Sequence, residues 1–282
     1  MLAAFEAVPR SLMRIILTLV IVLFLVITVG PLYWVAMSSF KTPREVIART
    51  PTAFPSEVTL RNYERLLDQS NFVAQLQNSA IIAALTVVFT VVIVVLAAFG
   101  AYRGHVRWLR NLKFVAILAF VFPTTLLVVP IYEILVRIGL VDTIWSGVLV
   151  NCILTVPFSF WLIEGFFDSI PRELEEAAYV DGANRLQAGV RILLPLITPG
   201  LATVGIFAFV TSWTEYTFAS VLLINADLKT LSLGLADILA QYNINWGLLT
   251  SNTTLAMIPG ILFFAFAGRY FIDGLVAGAL KA

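Results

Sequence analysis

Long apolar stretches separated by short polar segments dominate this chain. A helix needs about 20 mostly apolar residues to cross the hydrocarbon core of a bilayer. Backbone polar groups in lipid must be satisfied inside the segment, which favours helices. The pattern therefore predicts an all-α polytopic membrane protein, one transmembrane domain over residues 1–282 with six transmembrane helices at about 15–37, 77–102, 114–136, 144–163, 199–223 and 252–272.

The first apolar stretch could be mistaken for a secretory signal, because Arg10 and Arg14 precede it. It stays uncharged from Ile15 to Phe40, which is longer than a signal h-region of roughly 7–15 residues. No A-x-A site follows it. We therefore expect a retained first span.

The distribution of basic residues predicts the orientation. An even number of spans places both termini on one side, and we expect that side to be the cytoplasm. Eleven of the 18 lysines and arginines then lie inside and the other seven outside, in agreement with the positive-inside rule. The strongest indication is the short loop 103–113, which has four basic residues and no acidic one.

Composition excludes several classes of function. Mean hydropathy is +0.95, and 12% of residues are charged against roughly 25% in a soluble domain. A net charge of +1 argues against a nucleic-acid partner. With one cysteine, Cys152, and one histidine, His105, we expect no disulfide, no metal site and no Ser/His/Asp triad.

The sequence also lacks the motif of an ATP-binding site. A phosphate-binding loop needs the pattern G-x-x-x-x-G-K-S/T, and none of the four lysines follows a glycine. We therefore predict that the chain is not an enzyme and contains no cofactor of its own.

The inner loop 168–195 carries the most specific motif. Pro171 suits a first helical position, and Glu173, Glu175 and Glu176 then lie where the helix dipole favours carboxylates. Ala177 and Ala178 allow close approach, and Asp181-Gly182 is a helix stop. A second short helix, 184–193, leads to Pro195. By composition alone this could be an ordinary capped loop helix.

The spacing is more informative than the composition: E-A-A, three residues, G, nine residues, I-x-L-P. It resembles the loop by which permease subunits of bacterial ABC importers engage their ATPase. Other matching segments are 54–63, 78–79, 139–143, 212–216 and 274–281, although Thr214 stands where relatives often have Asn. Nearly the whole chain is similar to the smaller permease of carbohydrate ABC importers, the group containing the maltose importer.

This resemblance implies a type I ABC importer permease fold in a bacterial or archaeal cytoplasmic membrane. It implies a second homologous permease, two nucleotide-binding subunits that bind ATP and Mg, and an extracytoplasmic solute-binding protein as partners. The residues it implies for coupling to the ATPase are Glu175, Glu176, Ala177, Ala178, Asp181, Gly182, Ile192, Leu194 and Pro195.

The fifth predicted span contains a carboxylate, Glu215, roughly 24 Å from the start of the span at 1.5 Å per residue. Such a group is costly in lipid and usually faces a cavity or a partner. We predict a candidate pathway from Ser212, Trp213, Glu215 and Tyr216. The alternative is a structural carboxylate near the outer interface with aromatic membrane anchors.

Two long outer loops, 41–76 and 225–251, are expected to be functional. Trp246 in the second loop is the predicted contact for the binding protein, because aromatic residues are enriched at interface cores.

Two other functions stay open at this point. A permease of the same family could move a non-sugar such as glycerol 3-phosphate or its diesters, although the spans offer no mid-membrane arginine for a phosphate. An ion-coupled secondary transporter could use Glu215, but repeated halves are not found and the inner loop would have no role.

Overall fold

The computed structural model describes residues 10–103, 118 and 122–279. Every regular element within these residues is helical. The α-helices are α1 (Arg10–Ser39), α2 (Pro43–Val46), α3 (Arg61–Gln69), α4 (Phe72–Ala98), α5 (Val128–Arg137), α6 (Ile144–Asp168), α7 (Glu173–Val180), α8 (Arg185–Ala188), α9 (Leu194–Leu196), α10 (Thr198–Thr214), α11 (Ala219–Leu222), α12 (Leu231–Leu239) and α13 (Trp246–Ala279). Two π-helical turns, Phe99–Arg103 and Gly189–Leu193, and two 3-10 turns, Thr124–Leu127 and Ala226–Leu228, complete the set.

The membrane-spanning character is confirmed. Four described helices are long and apolar enough to cross a bilayer, namely Ser11–Ser39, Phe72–Ala101, Ile144–Asp168 and Trp246–Phe266. A fifth span results if Arg185–Leu196 and Thr198–Thr214, which are bent by 72°, count as one. The predicted third span, 114–136, falls partly outside the described residues. The total of six therefore stays a prediction.

The chain divides into two compact units. The first comprises residues 10–70 and 238–255 among those described, and buried polar contacts hold its loop 41–76. The side-chain amide of Asn62 donates to the backbone carbonyls of Ser39 and Lys41, at 2.8 and 2.9 Å. The buried Lys41 ammonium donates to the Thr52 carbonyl at 2.6 Å and lies 4.4 Å from the centre of the Trp34 ring. This part of loop 41–76 is therefore a fixed structure.

The second unit comprises 71–237 and 256–279 and is built on the mutual packing of α4, α6 and α10. Small residues let these helices approach closely, as is usual in membrane bundles. A Cβ on Gly200 of α10 would lie 2.7 Å from the Phe166 ring and 2.8 Å from the Ile163 methyl, both on α6. Between α4 and α6, the hydroxyls of Thr90 and Thr155 are hydrogen-bonded at 2.8 Å.

The fifth predicted span differs from its expected form. The helix begins at Thr198 as expected but ends at Thr214, and Glu215 is extended at φ −63° and ψ 126°. A separate short helix, α11, follows at Ala219–Leu222. The single helix expected through residue 223 is therefore absent. The physical reason is local: the Glu215 side chain bonds to the amides of Phe218 and Ala219, which competes with helical continuation.

The close approach of α10 and α6 can be tested with two glycines of the same helix. We expect Gly200→Ala to lower stability by about 1–3 kcal/mol, because the added methyl group overpacks the contact with Phe166. Gly205→Ala is the matched control, since its Cβ would meet only the Val87 side chain at an ordinary 3.7 Å. Thermal unfolding in detergent would measure both variants. Equal melting temperatures would contradict the packing described.

Candidate functional site

Helix α7 of the inner loop presents two different faces. Glu175 and Ala178 are buried and point toward the rest of the unit. Glu176, Ala177 and Val180 are exposed on the opposite face, and Val180 has 88% of its surface free. The structure therefore separates the predicted coupling residues of this helix into an anchoring face and an outward face. An exposed face with small and apolar residues is a suitable contact for another protein.

The helix ends in a Schellman motif at Gly182, whose φ is +86°. The Ala183 amide donates to the Ala178 carbonyl at 2.9 Å, and the Gly182 amide donates to the Tyr179 carbonyl at 3.1 Å. These are the two bonds that define the motif. A Cβ atom at Gly182 would meet no neighbouring atom within 4 Å. Glycine is thus required here by backbone conformation and not by crowding.

The second half of the loop starts with a capping box at Asn184 and Gln187, with both reciprocal bonds at 2.9 Å. A π-helical turn over Gly189–Leu193 follows. Pro195 comes just after it and has no amide hydrogen to donate back to the preceding turn, which accounts for the irregular helix at this point.

The residues of the I-x-L-P segment are exposed to different degrees. Ile192 and Leu194 are half-buried, and Pro195 is exposed. The fully buried residue is Leu193, at the unspecified position of the pattern. Leu193 belongs to an apolar cluster that also contains Val94, Ala98, Ala101, Phe160, Ile163, Phe167, Ile170 and Ile197. The sequence reasoning missed this anchor, because a leucine in an apolar run carries no distinguishing signal.

The two π-helical turns meet at one contact. A Cβ on Gly189 would lie 2.9 Å from the Phe99 ring, and that ring packs edge-on against Phe167 at 5.3 Å. Loop 168–195 therefore packs directly on the C-terminal end of α4 and on α6. A pocket of about 400 Å³ lies beside this contact and includes Glu175, Tyr179 and Arg185 in its lining.

A second pocket, of about 450 Å³, lies where α10 ends, and we name it the threonine pocket. Of the predicted pathway residues, it brings together Glu215 and Tyr216. Ser212 is buried. The Trp213 indole donates to the Ala256 carbonyl of α13 at 3.1 Å and so contributes to a helix contact. Among the residues that the structure describes, the lining consists of Thr124, Leu127, Ile153, Leu154, Pro157, Phe207, Val210, Thr211, Thr214, Glu215, Tyr216, Thr217 and Phe218.

The Glu215 carboxylate is engaged with the backbone. One oxygen accepts from the Phe218 amide at 2.7 Å and the other from the Ala219 amide at 2.9 Å. These two amides lie at the N-terminus of α11, where the helix itself supplies no carbonyl acceptor for them. The Ser232 hydroxyl donates to the Glu215 carbonyl at 2.6 Å. Glu215 therefore caps α11 in this conformation.

A second carboxylate holds the other end of α11. Asp142 has a left-handed φ of +60°, and its amide donates to the Leu222 carbonyl at 2.8 Å. One oxygen of its side chain accepts from the amides of Ile224 and Asn225, at 3.0 and 2.8 Å. A non-glycine residue at positive φ is uncommon outside Asn and Asp, and it marks a position that the surroundings determine.

Two residues in the N-terminal part of α4 hold the rest of this region, which we call the outer segment (residues 215–231). The side-chain amide of Asn78 donates to the backbone carbonyls of Asp227 and Lys229, at 2.7 and 3.1 Å. The Ser79 hydroxyl accepts from the Leu231 amide at 2.9 Å. Three motifs that lie far apart in the sequence, 78–79, 139–143 and 212–216, thus converge on one segment.

In the first unit, Trp246 is the first residue of α13 and 45% of its surface is exposed. Tyr242, four residues earlier, is fully exposed. Sequence reasoning did not select Tyr242, although an aromatic residue in a polar run is a usable signal.

The Asp142 contacts lead to a direct prediction. Asp142→Ala should release the Ile224 and Asn225 amides, so their hydrogen exchange should accelerate severalfold. Asp142→Asn should retain most of the protection, because asparagine tolerates positive φ and keeps one acceptor oxygen. Hydrogen-exchange mass spectrometry over residues 219–230 would measure this. Equal exchange in wild type and Asp142→Ala would contradict the assigned role.

Comparison with known proteins agrees with this architecture. Residues 1–276 match the family described as binding-protein-dependent transport system inner membrane component. The chain is 34% identical to the inner membrane ABC transporter permease protein YcjP of Escherichia coli K12, covering 96% of this chain and 98% of YcjP. It is 31% identical to the diacetylchitobiose uptake system permease protein DasC of Streptomyces coelicolor, covering 90% and 92%.

The fold is also similar to a solved structure. A chain from a bacterial ABC transporter involved in the import of the acidic polysaccharide alginate superposes with a TM-score of 0.82 at 22% identity, covering 94% of this chain and 99% of that one.

The trehalose/maltose transport system permease protein MalG of Thermococcus litoralis is 29% identical, over 95% of this chain and 97% of MalG. The chain belongs to the family of inner membrane permease components of binding-protein-dependent ABC transport systems.

Proposed function

We propose that this chain forms half of the translocation pathway of an ABC importer for a sugar or oligosaccharide. A second homologous permease would complete the pathway, and an extracytoplasmic binding protein would deliver the solute. The observation that carries the proposal is the inner loop, whose α7 presents an outward face with Glu176, Ala177 and Val180. Relatives named for diacetylchitobiose and for trehalose and maltose support a carbohydrate.

The loop would couple ATP hydrolysis to movement through its buried anchors. Leu193 of the loop and Ile197, two residues after its end, lie in the same cluster as Val94 of α4 and Ile163 of α6. Well-packed interiors have low compressibility and transmit strain. A displacement of α7 by a bound nucleotide-binding subunit would therefore move the inner ends of α4 and α6.

In this scheme ATP and Mg bind to the two nucleotide-binding subunits, and the chain is a non-catalytic subunit. The loop 168–195 and both termini would face the cytoplasm of a bacterial or archaeal cell, with the chain in its cytoplasmic membrane. Loops 41–76 and 225–251 would face outward.

The pathway wall would include Glu215 and Tyr216, just after the end of α10, and the buried Ser212 would support it from within the helix packing. Trp213 would support this wall through its bond to α13. A phosphate-bearing solute is a weaker candidate, because no arginine or lysine lines the threonine pocket among the residues that the structure describes. An ion-coupled transporter is a weaker candidate still, because it offers no role for the inner loop.

We predict that the purified chain has no ATPase activity by itself and that turnover appears only with a subunit that carries a phosphate-binding loop. The reason is the absence of such a loop from the sequence. A coupled phosphate-release assay on the chain alone and on the reconstituted complex would measure this. ATP turnover by the isolated chain, with contaminants excluded by mass spectrometry, would refute the assignment.

The Gly182 turn yields a second prediction. Gly182→Val should abolish uptake and the stimulation of ATPase by the binding protein, because a β-branched residue resists φ near +86°. The chain should still insert, since no atom lies within 4 Å of the new side chain's first carbon.

Gly182→Asn is the matched control, because asparagine accepts the left-handed conformation. We expect it to keep at least half of the wild-type uptake. Normal uptake by Gly182→Val cells, or equal loss in both variants, would count against the turn as the cause.

A third prediction concerns the binding protein. A photo-crosslinker placed at Trp246 should capture it, because this position is exposed and aromatic residues are enriched at interface cores. Tyr242 should give a similar crosslink. Placement at Val221, an exposed residue in the outer segment, is a comparison position. Crosslinks from Trp246 to lipid or to the partner permease alone would exclude this contact.

A further inference from the structure

The threonine pocket has a chemistry that separates it from the apolar surroundings of a membrane helix. Four of the described residues in its lining are threonines: Thr124, Thr211, Thr214 and Thr217. A threonine hydroxyl can donate one hydrogen bond and accept two. The Thr214 hydroxyl already donates to the Val210 carbonyl at 2.9 Å, so it offers a solute its acceptor sites. The apolar part of the lining includes Pro157 and Phe207. A volume of about 450 Å³ lies within the roughly 300–1,000 Å³ typical of small-molecule sites.

The charge of the lining narrows the class of ligand. Among the described residues that line this pocket there is no lysine, arginine or histidine, and Glu215 is the one carboxylate. An anionic ligand bound away from water needs a cationic or other strong donor partner. A ligand with many hydroxyls can instead pair with threonine hydroxyls, while its C–H surfaces contact the apolar part of the lining.

Glu215 also lines the pocket, but its carboxylate oxygens are used differently from the threonine hydroxyls. Both of its oxygens already accept from backbone amides, of Phe218 and of Ala219. These bonds fix the turn that contains Tyr216 and Thr217, which both line the pocket. Asp142 secures the far end of the same segment through Ile224 and Asn225. The carboxylates thus determine the backbone on which part of the lining is built.

We propose that the threonine pocket is a subsite for a neutral polyhydroxylated solute, recognised by the hydroxyls of Thr124, Thr211, Thr214 and Thr217, with Glu215 as a positioning residue. This rests on the proposed function and deepens it, because it assigns part of solute recognition to this chain. Glu215 then holds Tyr216 and Thr217 in place and does not act as the main acceptor for the solute.

Thiol protection tests the subsite in the assembled importer. The variants are Thr211→Cys and Thr214→Cys in a Cys152→Ser background, and Thr203→Cys on the same helix but outside the pocket is the control. The reagent is a water-soluble methanethiosulfonate. Maltose, trehalose and diacetylchitobiose are the neutral probes, and glycerol 3-phosphate is the anionic probe.

We expect aqueous modification at both pocket positions, slowed at least threefold by one or more of the neutral sugars and not by glycerol 3-phosphate. Thr203→Cys should show no protection. Protection by glycerol 3-phosphate, or by none of the probes, overturns the proposal. Thiols that react with no reagent in any state indicate burial by the partner permease, and thiols that react only with a membrane-soluble maleimide indicate lipid. Both results also overturn it.

Removing hydroxyls tests recognition directly. With Thr211→Cys as reporter, Thr214→Val should raise the sugar concentration that gives half protection by roughly threefold to tenfold, the loss expected for one neutral hydrogen bond. Thr203→Val should leave this concentration unchanged. If the sugar concentration for half protection is unchanged in Thr214→Val, the Thr214 hydroxyl does not contact the sugar.

The positioning role of Glu215 has its own test. Glu215→Leu removes both acceptor oxygens, so sugar protection at Thr211→Cys should be lost. Glu215→Gln keeps one acceptor and should retain protection at a severalfold higher sugar concentration. Equal loss in Glu215→Gln and Glu215→Leu would make the carboxylate itself the sugar contact, and unchanged protection in Glu215→Leu would exclude any role.

The ATPase assay separates failure of the subsite from failure of the proposed function. If the binding protein stimulates ATPase in the wild-type complex but no sugar protects the thiols, the importer assignment stands and the subsite is wrong. If stimulation is absent in the wild-type complex, the proposed function itself fails.

Discussion

The structure depends on how the backbone is satisfied wherever a helix stops in an apolar environment. In lipid or in a packed bundle, an unpaired amide costs several kcal/mol, so helix ends require partners. At the C-terminal end of α10 those partners are carboxylates. Glu215 accepts from the amides that open α11, and Asp142 accepts from the amides that follow it. With these bonds the chain can leave the helix at Thr214 and form a separate, ordered segment.

The same requirement is met differently at the inner loop. Helix α7 ends in a Schellman motif that needs positive φ at Gly182, and the next helical stretch begins in a capping box at Asn184. Both are local solutions that a short sequence can encode. The result is a loop with defined geometry whose outward face is free for a partner. The loop is anchored by Leu193, and by Ile197 just after its end, which are buried with residues of α4 and α6.

The two regions use the same helices of the second unit. The inner loop packs against Phe99 after α4 and Phe167 on α6, whereas the outer segment packs through Phe218, Ala219 and Leu222. Ala219 lies in a buried apolar cluster with Ile82 of α4 and Val148 of α6. Helices α4 and α6 therefore contact both regions. In the proposed importer, this arrangement would let movement of the inner loop change the outer segment and the threonine pocket.

Hydropathy, spacing and turn chemistry determined much of this protein by themselves. They indicated the all-α membrane architecture and the start of α6 at residue 144, and they indicated α7 and the stop at Gly182, because apolar run length and glycine at positive φ are local properties. The sequence also singled out Glu215 but placed it inside a continuous helix. Only the tertiary structure showed that its carboxylate bonds to the backbone, that Asp142 contacts residues more than eighty positions away, and that Leu193 anchors the loop. The contacts of Asp142 and Leu193 join residues that are distant in sequence, so they exist only once the helices have packed. The bonds of Glu215 are local, and they compete with the helical continuation that the apolar pattern favours.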